Sequence, residues 1–327
     1  MKYASLGRSG MKVSKLCLGT MNFGVNTEEQ EAFRMMDAAL DAGINFFDTA
    51  NIYGWGENAG RTEEIIGKWF SQGGGRREKV VLATKFYGDM NDQTDGPNTK
   101  EGLSGYKLRR HLEGSLRRLQ TDHIELYQMH HVDRNVSWDE LWEAYRIAMI
   151  QGKIGYAGSS NFAARDLVKA QYEAKNRGML GLVSEQHRYN LLCRMPELEV
   201  LPAAEEHGIG VVAWSPLSGG LLGGNALKPP VSGSRTESTQ EWINAHRAQL
   251  EAFSKLCQEL GESEANVALA WTLQHPAMTA PIIGPRTVSQ LEGSLRAVEI
   301  ELSEEVLKKL DEIFPGPGGE APQAYAW

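Results

Sequence analysis

Four polar side chains of complementary chemistry follow short apolar runs in the first half of the chain. Asp48 ends the run that begins at Ile44, Tyr53 comes shortly after it, and Lys85 and His130 each close a later run. A charge at the end of a buried strand is costly to desolvate unless an opposite charge lies near. Each residue taken alone could be an ordinary polar group in a loop. Four of them at successive strand ends favour a common site.

A carboxylate, a phenol, an ammonium and an imidazole that are held together can transfer a proton. We expect a buried Lys85 to keep its charge beside Asp48 and to stabilise the phenolate of Tyr53, so that this hydroxyl gives up its proton more readily. A neutral His130 can donate a hydrogen bond to the oxygen that receives the proton. This chemistry suits the reduction of a carbonyl group, in which a proton reaches oxygen while a hydride reaches carbon.

The elements that must position these residues alternate along the chain. Apolar strand patterns lie at residues 16–19, near residues 46, 80, 124, 154, 182 and 210, and at residues 280–283. Helical patterns between and after them include residues 62–70, 106–119, 137–150, 165–176 and 287–298. A spacing of roughly 30 residues and near-continuous apolar strands are typical of βαβ units in a parallel sheet. Eight strand-and-helix pairs predict an α/β fold, a (β/α)8 TIM barrel, in which the carboxyl ends of the strands converge on one face.

Three further segments complete the predicted fold, which we expect to be one domain spanning residues 1–327. Residues 2–6 and 12–14 flank a glycine-containing turn and predict an N-terminal β-hairpin. The segment 216–239, after strand 7 of the barrel, is rich in Gly, Ser and Pro and too long for an ordinary connection, which favours a loop that covers a ligand. Residues 315–327 predict an irregular C-terminal tail, which either is disordered or folds back over the mouth of the barrel.

The composition narrows the classes of function. The chain has 327 residues, of which 41% are hydrophobic, and its net charge of -8 is dispersed, which argues against a surface for nucleic acid. Cys17, Cys193 and Cys257 lack the spacing of a metal site and favour a reducing compartment. The sequence shows neither a signal-peptide pattern nor an apolar run long enough to cross a bilayer. We therefore expect a cytoplasmic protein without a metal, a nucleic-acid partner or a membrane partner.

Short motifs spread over almost the entire chain are specific when they are taken together. They are LGTM at 18–21, NFFDTA at 45–50, YG at 53–54, ATK at 83–85, LYQMH at 126–130, GSSNF at 158–162, EQ at 185–186, WSPL at 214–217 and IGPRT at 283–287. With these motifs the chain resembles the aldo-keto reductase family of NADP(H)-dependent carbonyl reductases. The long loop after Trp214 is similar to that of the bacterial sugar and aldehyde reductase branches and of the potassium-channel β subunits.

The resemblance implies roles for individual residues. The family's catalytic tetrad falls on Asp48, Tyr53, Lys85 and His130, the residues already singled out for their chemistry. For NADPH or NADP+, the resemblance implies that the nicotinamide carboxamide contacts Ser160, Asn161 and Gln186, and that the nicotinamide ring stacks on Trp214. The implied contacts of the pyrophosphate are Ser215, Leu217 and Gly219. Those of the adenosine end are Arg235, Arg286, Gln290 and Ser294. The resemblance also places Thr20, Met21, Asp48, Pro216 and Gly284 at the cofactor.

Two positions depart from the family's pattern near the 2′-phosphate of the cofactor. Gly284 stands where many members have a lysine, and Ser294 stands where an asparagine is common. Arg286 could supply the missing charge, since a guanidinium binds phosphate well through its fork of N–H groups. NADPH is therefore the expected cofactor, and the strictness of its preference over NADH is left open.

The wall of the substrate pocket is expected to consist of aromatic and imidazole side chains. The candidates for substrate binding are Trp55, Tyr87 and His130, with Tyr189, Tyr325 and Trp327 as further candidates for the wall. His131 is expected to face away from His130 if the strand continues that far, and to lie at the rim. Such a wall suits a sugar and a flat hydrophobic carbonyl compound equally.

Three functions of different classes remain open. The first is an NADPH-dependent oxidoreductase that reduces an aldehyde or ketone, such as a sugar or sugar-derived carbonyl, with Tyr53 as general acid. The second is a cofactor-binding regulatory subunit like the channel β proteins, against which the retention of His130 speaks. The third is a Schiff-base lyase, because a lysine at the end of a barrel strand, as Lys85 is predicted to be, also serves such aldolases.

Overall fold

The computed structural model describes residues 1–98, 100–228 and 240–318, which form a hairpin, a barrel and surrounding helices. Strands β1 (Tyr3–Ser5) and β2 (Lys12–Ser14) pair in antiparallel fashion. The parallel strands that close the barrel are β3 (Cys17–Gly19), β4 (Phe46–Asp48), β5 (Val81–Phe86), β6 (Ile124–Met129), β7 (Ile154–Ser160), β8 (Leu182–Arg188), β9 (Gly210–Trp214) and β10 (Met278–Ile283). They follow chain order, and β10 pairs with β3. The predicted (β/α)8 TIM barrel with an N-terminal hairpin is confirmed.

Helices alternate with the barrel strands. The α helices are α1 (Glu29–Asp41), α2 (Arg61–Phe70), α3 (Gly105–Leu119), α4 (Trp138–Ile150), α5 (Ala164–Asn176), α6 (Val200–Glu206), α7 (Gln240–Ala245), α8 (Arg247–Leu260), α9 (Glu264–Gln274), α10 (Val288–Ser294) and α11 (Glu304–Ile313). The hydroxyl of Ser137 accepts a hydrogen bond from the first turn of α4, and Ser263 caps α9 in the same way. No helix in the described part of the chain combines the length and apolar character that crossing a bilayer requires.

The structure differs from the sequence pattern near the carboxyl end of the chain. The pattern at 287–298 predicted one helix, but α10 ends at Ser294 and the 3₁₀ helix Leu295–Val298 follows. The Ser294 hydroxyl donates to the Gln290 carbonyl, a bond that often bends a helix.

The loop after β9 includes the 3₁₀ helix Ser218–Gly220, and its residues 229–239 lie outside the described ranges. In the tail, residues 315–318 form neither helix nor strand, and residues 319–327 also lie outside those ranges.

Apolar side chains alternate between the inside and the outside of the barrel. Cys17 and Phe46 belong to the cluster within the barrel, whereas their neighbours Leu18 and Phe47 belong to the cluster between the barrel and the helices. This alternation arises because successive residues of a strand point to opposite faces. Leu6, which follows β1, joins the inner cluster, so the hairpin fills the amino end of the barrel. The carboxyl end is left for polar residues.

A buried carboxylate ties helix α2 to strand β5. Glu63 has no exposed surface. Its Oε1 accepts a hydrogen bond from Thr84 Oγ1 at 2.6 Å, and its Oε2 accepts one from Arg118 Nε at 2.8 Å. Thr84 directly precedes Lys85, and Arg118 lies on α3. The ion pair thus fixes α2 and α3 against the strand that carries Lys85.

Removal of this carboxylate should destabilise the fold. Glu63→Ala leaves the partly buried Arg118 without its partner, so we expect the free energy of unfolding to fall by about 3–5 kcal/mol. Glu64→Ala is the matched control, because Glu64 is the next residue on α2 and its side chain is 48% exposed. Its loss should cost about 0.5 kcal/mol or less. Urea denaturation followed by circular dichroism measures both values, and equal losses would refute the role of Glu63.

Candidate active site

The carboxyl end of the barrel holds an ion pair shielded from solvent. Lys85 is fully buried and Asp48 nearly so. Lys85 Nζ donates to Asp48 Oδ2 at 2.6 Å, to Thr49 O at 2.8 Å and to the hydroxyl of Tyr53 at 3.2 Å. An ammonium has three donors, so each has an acceptor here. The register of the strands brings the groups together, since Asp48 on β4 pairs with Ala83 on β5.

Two glutamine amides complete the surroundings of Asp48. Gln128 Nε2 on β6 donates to Asp48 Oδ1 at 3.1 Å, and Gln186 Nε2 on β8 donates to the same atom at 2.7 Å. With Lys85 on β5, three other strands of the barrel supply donors to this carboxylate. Such bonds compensate for the loss of hydration and fix both carboxylate oxygens in place.

Burial and charge act in opposite directions on the pKa values of Lys85 and Tyr53. Burial alone would lower the pKa of Lys85, but the attraction of Asp48 and Tyr53 outweighs it, and the pKa is raised. Lys85 is thus an ammonium at neutral pH. Burial raises the pKa of Tyr53, and the Lys85 ammonium only partly offsets this effect. The ammonium lowers the pKa of Tyr53, as expected, but burial has the larger effect. The phenol stays protonated, with a cation beside it that can stabilise the phenolate after proton loss.

His130 lies next to Tyr53 at the mouth of the barrel. The two ring centroids are 6.0 Å apart and the rings are nearly perpendicular. Burial, with the nearby charge of Lys85, lowers the pKa of His130 to about 2, so its imidazole is neutral at physiological pH. His131 does not face away from His130 as expected, because their rings stack with centroids 5.1 Å apart. That expectation required the strand to continue, whereas β6 ends at Met129.

A chain of hydrogen bonds joins His130 to Trp214. Asn161 Nδ2 donates to His130 O at 3.2 Å and to Ser160 Oγ at 3.0 Å, and Trp214 Nε1 donates to Asn161 Oδ1 at 3.1 Å. Asn161 has a φ of 60°, a left-handed conformation that asparagine adopts more readily than most residues. Gln186 O accepts bonds from Asn161 N and from Ser160 Oγ. The structure therefore groups these residues beside the tetrad.

The loop that follows Trp214 has an unusual backbone. Ser215, Ser218 and Gly219 have φ values of 55°, 49° and 69°. Ser215 Oγ accepts a hydrogen bond from Gly219 N at 3.2 Å, which fixes the turn. Among the described residues, a Cβ atom built on Gly219 or Gly220 would meet no other atom within 4 Å. The loop thus leaves open space next to its backbone, where a ligand can approach closely.

Three residues of the predicted adenosine site lie together around the start of α10. Gln290 Oε1 accepts a hydrogen bond from Arg286 N at 2.8 Å, and Ser294 Oγ donates to Gln290 O at 3.0 Å. Thr27 Oγ1 donates to Arg286 O at 3.4 Å. The backbone of Arg286 is therefore held on both sides. Its guanidinium has no hydrogen-bond or ion-pair partner within residues 1–98, 100–228 and 240–318.

The other predicted cofactor residues are less uniform in their surroundings. Thr20 is buried, and its hydroxyl donates to the backbone carbonyl of Asp48 at 2.9 Å. Met21 and Gly284 are exposed, whereas Pro216 is buried and Leu217 is half-buried. Only Thr20 of this group bonds directly to a residue of the tetrad among the residues described.

Trp55 and Tyr87 lie beside the tetrad, where they were predicted to contact substrate. Trp55 is 44% exposed, and its ring centroid is 5.7 Å from that of Tyr53. Tyr87 contacts His131 edge to face with a centroid distance of 5.2 Å. Both aromatic rings thus border the opening above the tetrad.

Tyr189 is not part of the wall, contrary to the expectation from sequence. It is buried, stacks on Trp271, and its hydroxyl bonds to a glutamate. The reason is the alternation of side chains: Gln186 points into the barrel at Asp48, so Tyr189, three residues later, falls on the outer face and joins the core between the barrel and the helices. Arg235, Tyr325 and Trp327 lie outside the described residues.

Comparisons with known proteins agree with the resemblance that the sequence motifs indicated. Residues 15–314 match the model of the aldo/keto reductase family. The chain belongs to this family. Uncharacterized oxidoreductase YrpG of Bacillus subtilis (strain 168) is 67% identical over 100% of both chains. Versiconal hemiacetal acetate reductase of Aspergillus parasiticus is 30% identical over 96% of this chain and 97% of that protein. A probable voltage-gated potassium channel subunit beta of Oryza sativa subsp. japonica is 32% identical over 96% of each chain.

Aldo/keto reductases are oxidoreductases that use nicotinamide cofactors, and the residues of this chain fit such a cofactor. Trp214 presents a half-buried indole near the tetrad, Gly219 and Gly220 leave open space beside the backbone, and Arg286 offers a cation without a described partner. An aromatic side chain, an open loop and a cation suit the ring and the phosphate groups of a nicotinamide cofactor. No three His, Cys, Asp or Glu side chains of the described residues are grouped as metal ligands.

Asn51 and His111 form a contact next to the tetrad that the sequence did not reveal. Asn51 is buried in the loop that carries Tyr53, and its amide Nδ2 lies 2.8 Å from His111 Nδ1 on α3. Asn51 N donates to Lys85 O at 3.1 Å. Burial lowers the pKa of His111 to about 4, so the neutral ring can accept the hydrogen bond of the amide. A polar residue in an apolar loop was the available signal, but nothing in the sequence pairs Asn51 with His111.

Protonation of His111 should contribute to acid lability. The folded-state pKa of about 4 lies below the ordinary value of 6.5. The unfolded chain therefore takes up a proton first, and stability that is fully present above pH 6.5 is lost as the pH falls towards 4, by up to about 3 kcal/mol. His111→Asn keeps an acceptor for Asn51 but does not titrate. We expect a shallower fall of the unfolding free energy between pH 6.5 and 4 in this variant, measured by urea denaturation. Parallel curves would contradict this assignment.

Proposed function

We propose that this chain is an NADP(H)-dependent reductase that converts an aldehyde or ketone into the alcohol with Tyr53 as general acid. One observation carries the proposal. Lys85 Nζ bonds both Asp48 and the hydroxyl of Tyr53, and the neutral ring of His130 lies edge to face with the ring of Tyr53. Membership of the family and the reductase among the relatives support carbonyl reduction as the class of reaction.

Each member of the tetrad has one task in this mechanism. When NADPH is bound, it supplies the hydride that reaches the carbonyl carbon. Tyr53 gives its proton to the carbonyl oxygen, and Lys85 stabilises the resulting phenolate. His130 donates a hydrogen bond that orients the same oxygen, which requires the neutral imidazole. Asp48 keeps Lys85 charged and in place. The two carboxylate oxygens of Asp48 are held by Lys85 and by two amides. This arrangement keeps the ammonium of Lys85 next to the phenol of Tyr53.

The cofactor would be held by the residues next to the tetrad. In this proposal Trp214 stacks on the nicotinamide ring, and the amides of Asn161 and Gln186 with the hydroxyl of Ser160 surround its carboxamide. The pyrophosphate follows the loop that begins at Ser215. The Asn161 amide already bonds to Ser160 and Trp214, and the Ser160 hydroxyl bonds to the backbone carbonyl of Gln186, so the pocket is ordered before a ligand arrives. Preorganised groups of this kind lose little entropy on binding.

A Schiff-base lyase is the poorer alternative. A lysine that attacks a carbonyl carbon must first be a neutral amine. The pKa of Lys85 is raised rather than lowered, and all three of its N–H groups have acceptors. Borohydride should therefore trap no carbonyl substrate on Lys85.

The regulatory alternative draws on the similarity to the channel subunit of Oryza sativa subsp. japonica. Steady turnover of a generic aldehyde would favour the enzyme over that role.

Tyr53→Phe should abolish most of the turnover and leave cofactor binding intact. The variant lacks only the proton donor, so we expect kcat/KM to fall by about 10²- to 10⁴-fold. A panel of aldehydes, ketones and keto-sugars, assayed by the loss of NADPH absorbance, gives the rates, and fluorescence titration gives the Kd of NADPH. Reduction at the wild-type rate would remove Tyr53 from the mechanism.

Arg286→Ala should weaken NADPH more than NADH. The guanidinium is proposed to bind the 2′-phosphate, which NADH lacks, and a charge-assisted pair is strong enough that its loss should raise the Kd of NADPH about tenfold or more. Arg286→Lys keeps the charge but not the fork of N–H groups, so its Kd for NADPH should lie between those of the wild type and Arg286→Ala. Fluorescence titrations with both cofactors provide the comparison. Equal increases for NADPH and NADH would assign Arg286 another role.

A further inference from the structure

Arg188 is a cation at the mouth of the barrel that the mechanism above does not use. It ends strand β8 and pairs with Trp214 of β9. Gln186, two residues earlier on the same strand, points at Asp48. Residues two apart on a strand share a face, and each residue advances the strand by about 3.3 Å. Arg188 therefore lies on the same face as Gln186, roughly 7 Å nearer the opening.

The guanidinium of Arg188 is held without an anion. Its central carbon lies 5.7 Å from the centroid of the Trp214 indole, a cation–π arrangement. Its Nε is buried and bonds to no other described residue. In the described ranges no carboxylate lies within ion-pair distance of it. The stacking orients the guanidinium, and its Nε donor has no acceptor among the described residues.

Apart from Arg286, the other half-buried arginines among the described residues are paired. Arg77 meets Glu125, Arg118 meets Glu63, and Arg194 meets Glu197 and Asp311. This pattern is expected, since a partly desolvated guanidinium is costly without a counter-charge. Arg188 departs from it at the place where substrate must enter. An unpaired donor there is satisfied when a ligand supplies the acceptor.

The charges across the barrel favour the same orientation of a charged substrate. The wall formed by the ends of β5 and β6 carries Asp133, whose Oδ2 accepts from Leu103 N, and the adjacent Gly102 N bonds Tyr87 O. Strand order places β5 and β6 on the side away from β8 and β9. A negative group would therefore be repelled on the Tyr87 side and attracted on the side of Arg188.

We propose that Arg188 binds an oxyanion of the carbonyl substrate, so that the preferred substrates are aldehydes or ketones that carry a carboxylate or a phosphate. The planar fork of a guanidinium suits both groups. The proposal rests on the reductase function and adds the class of substrate. Arg188 orients the substrate from its charged end, while Tyr53 and His130 meet the carbonyl end.

Matched substrate pairs test this specificity. The carboxylate arm compares succinic semialdehyde with its carboxamide, and the phosphate arm compares glyceraldehyde 3-phosphate with glyceraldehyde. For each pair, kcat/KM of the charged member is divided by that of the neutral member. We expect the wild-type ratio to exceed about 10 in one arm, which identifies the anion, and to fall about tenfold or more in Arg188→Gln. Arg188→Lys should restore part of the ratio. The matched control is Arg117→Gln, an exposed arginine of α3, which should keep the wild-type ratio.

Two results would overturn the proposal. Ratios near one in both arms of the wild type would show that no anion is recognised. An equal loss for charged and neutral members in Arg188→Gln, together with a weaker Kd for NADPH, would show that Arg188 serves the cofactor through Trp214. The anion site would then be rejected, and the reductase function would still stand because the neutral substrates are turned over.

Calorimetry separates this proposal from the function on which it rests. Succinate and inorganic phosphate, which cannot be reduced, are titrated into the wild type and into Arg188→Gln in the presence of NADP+. Binding to the wild type that is lost in the variant supports the anion site even if no carbonyl compound is reduced. Absence of binding for both anions, in a wild-type enzyme that reduces neutral aldehydes, refutes the anion site alone.

Discussion

The contact between Lys85 and Asp48 is the interaction on which the rest of the site depends. Neither charge would be stable alone at this depth, because burying an ion in a protein interior costs roughly several kcal/mol of solvation free energy, even after the protein relaxes around it. The pair is stable because the three donors of Lys85 and both oxygens of Asp48 are used: Asp48, Thr49 and Tyr53 accept from Lys85, and the amides of Gln128 and Gln186 donate to Asp48. A closed barrel is suited to this arrangement, since neighbouring strands deliver groups to one point from several sides.

Around this pair, burial rather than charge sets the protonation states. Burial raises the pKa of Tyr53 despite the ammonium beside it, and it lowers the pKa of His130 to about 2. The two effects are complementary: one group is a phenol with a proton to give, and the other is a neutral imidazole. A site that was open to water would shift both pKa values towards their ordinary range and weaken the distinction between the two roles.

The barrel and the residues at its strand ends could be predicted because apolar periodicity and helix capping are local properties of the sequence. The surroundings of those residues could not. The stacking of His131 on His130 depends on where β6 ends, and the contact of Asn51 with His111 depends on how α3 packs against a loop. The net pKa of Tyr53 likewise follows from its depth in the folded chain. Sequence indicates which groups can react, whereas packing decides their state.

Gln186 bonds in two directions at once. Its side chain donates to Asp48, and its backbone carbonyl accepts from Ser160 and from Asn161. The pocket beside Trp214 and the buried pair of Asp48 and Lys85 therefore share Gln186 as a common support. Substitutions on the two sides of Gln186 are not thermodynamically independent, because each alters a hydrogen bond to the same residue. A loss measured on one side thus includes a contribution from the other, and single-residue effects in this region do not sum.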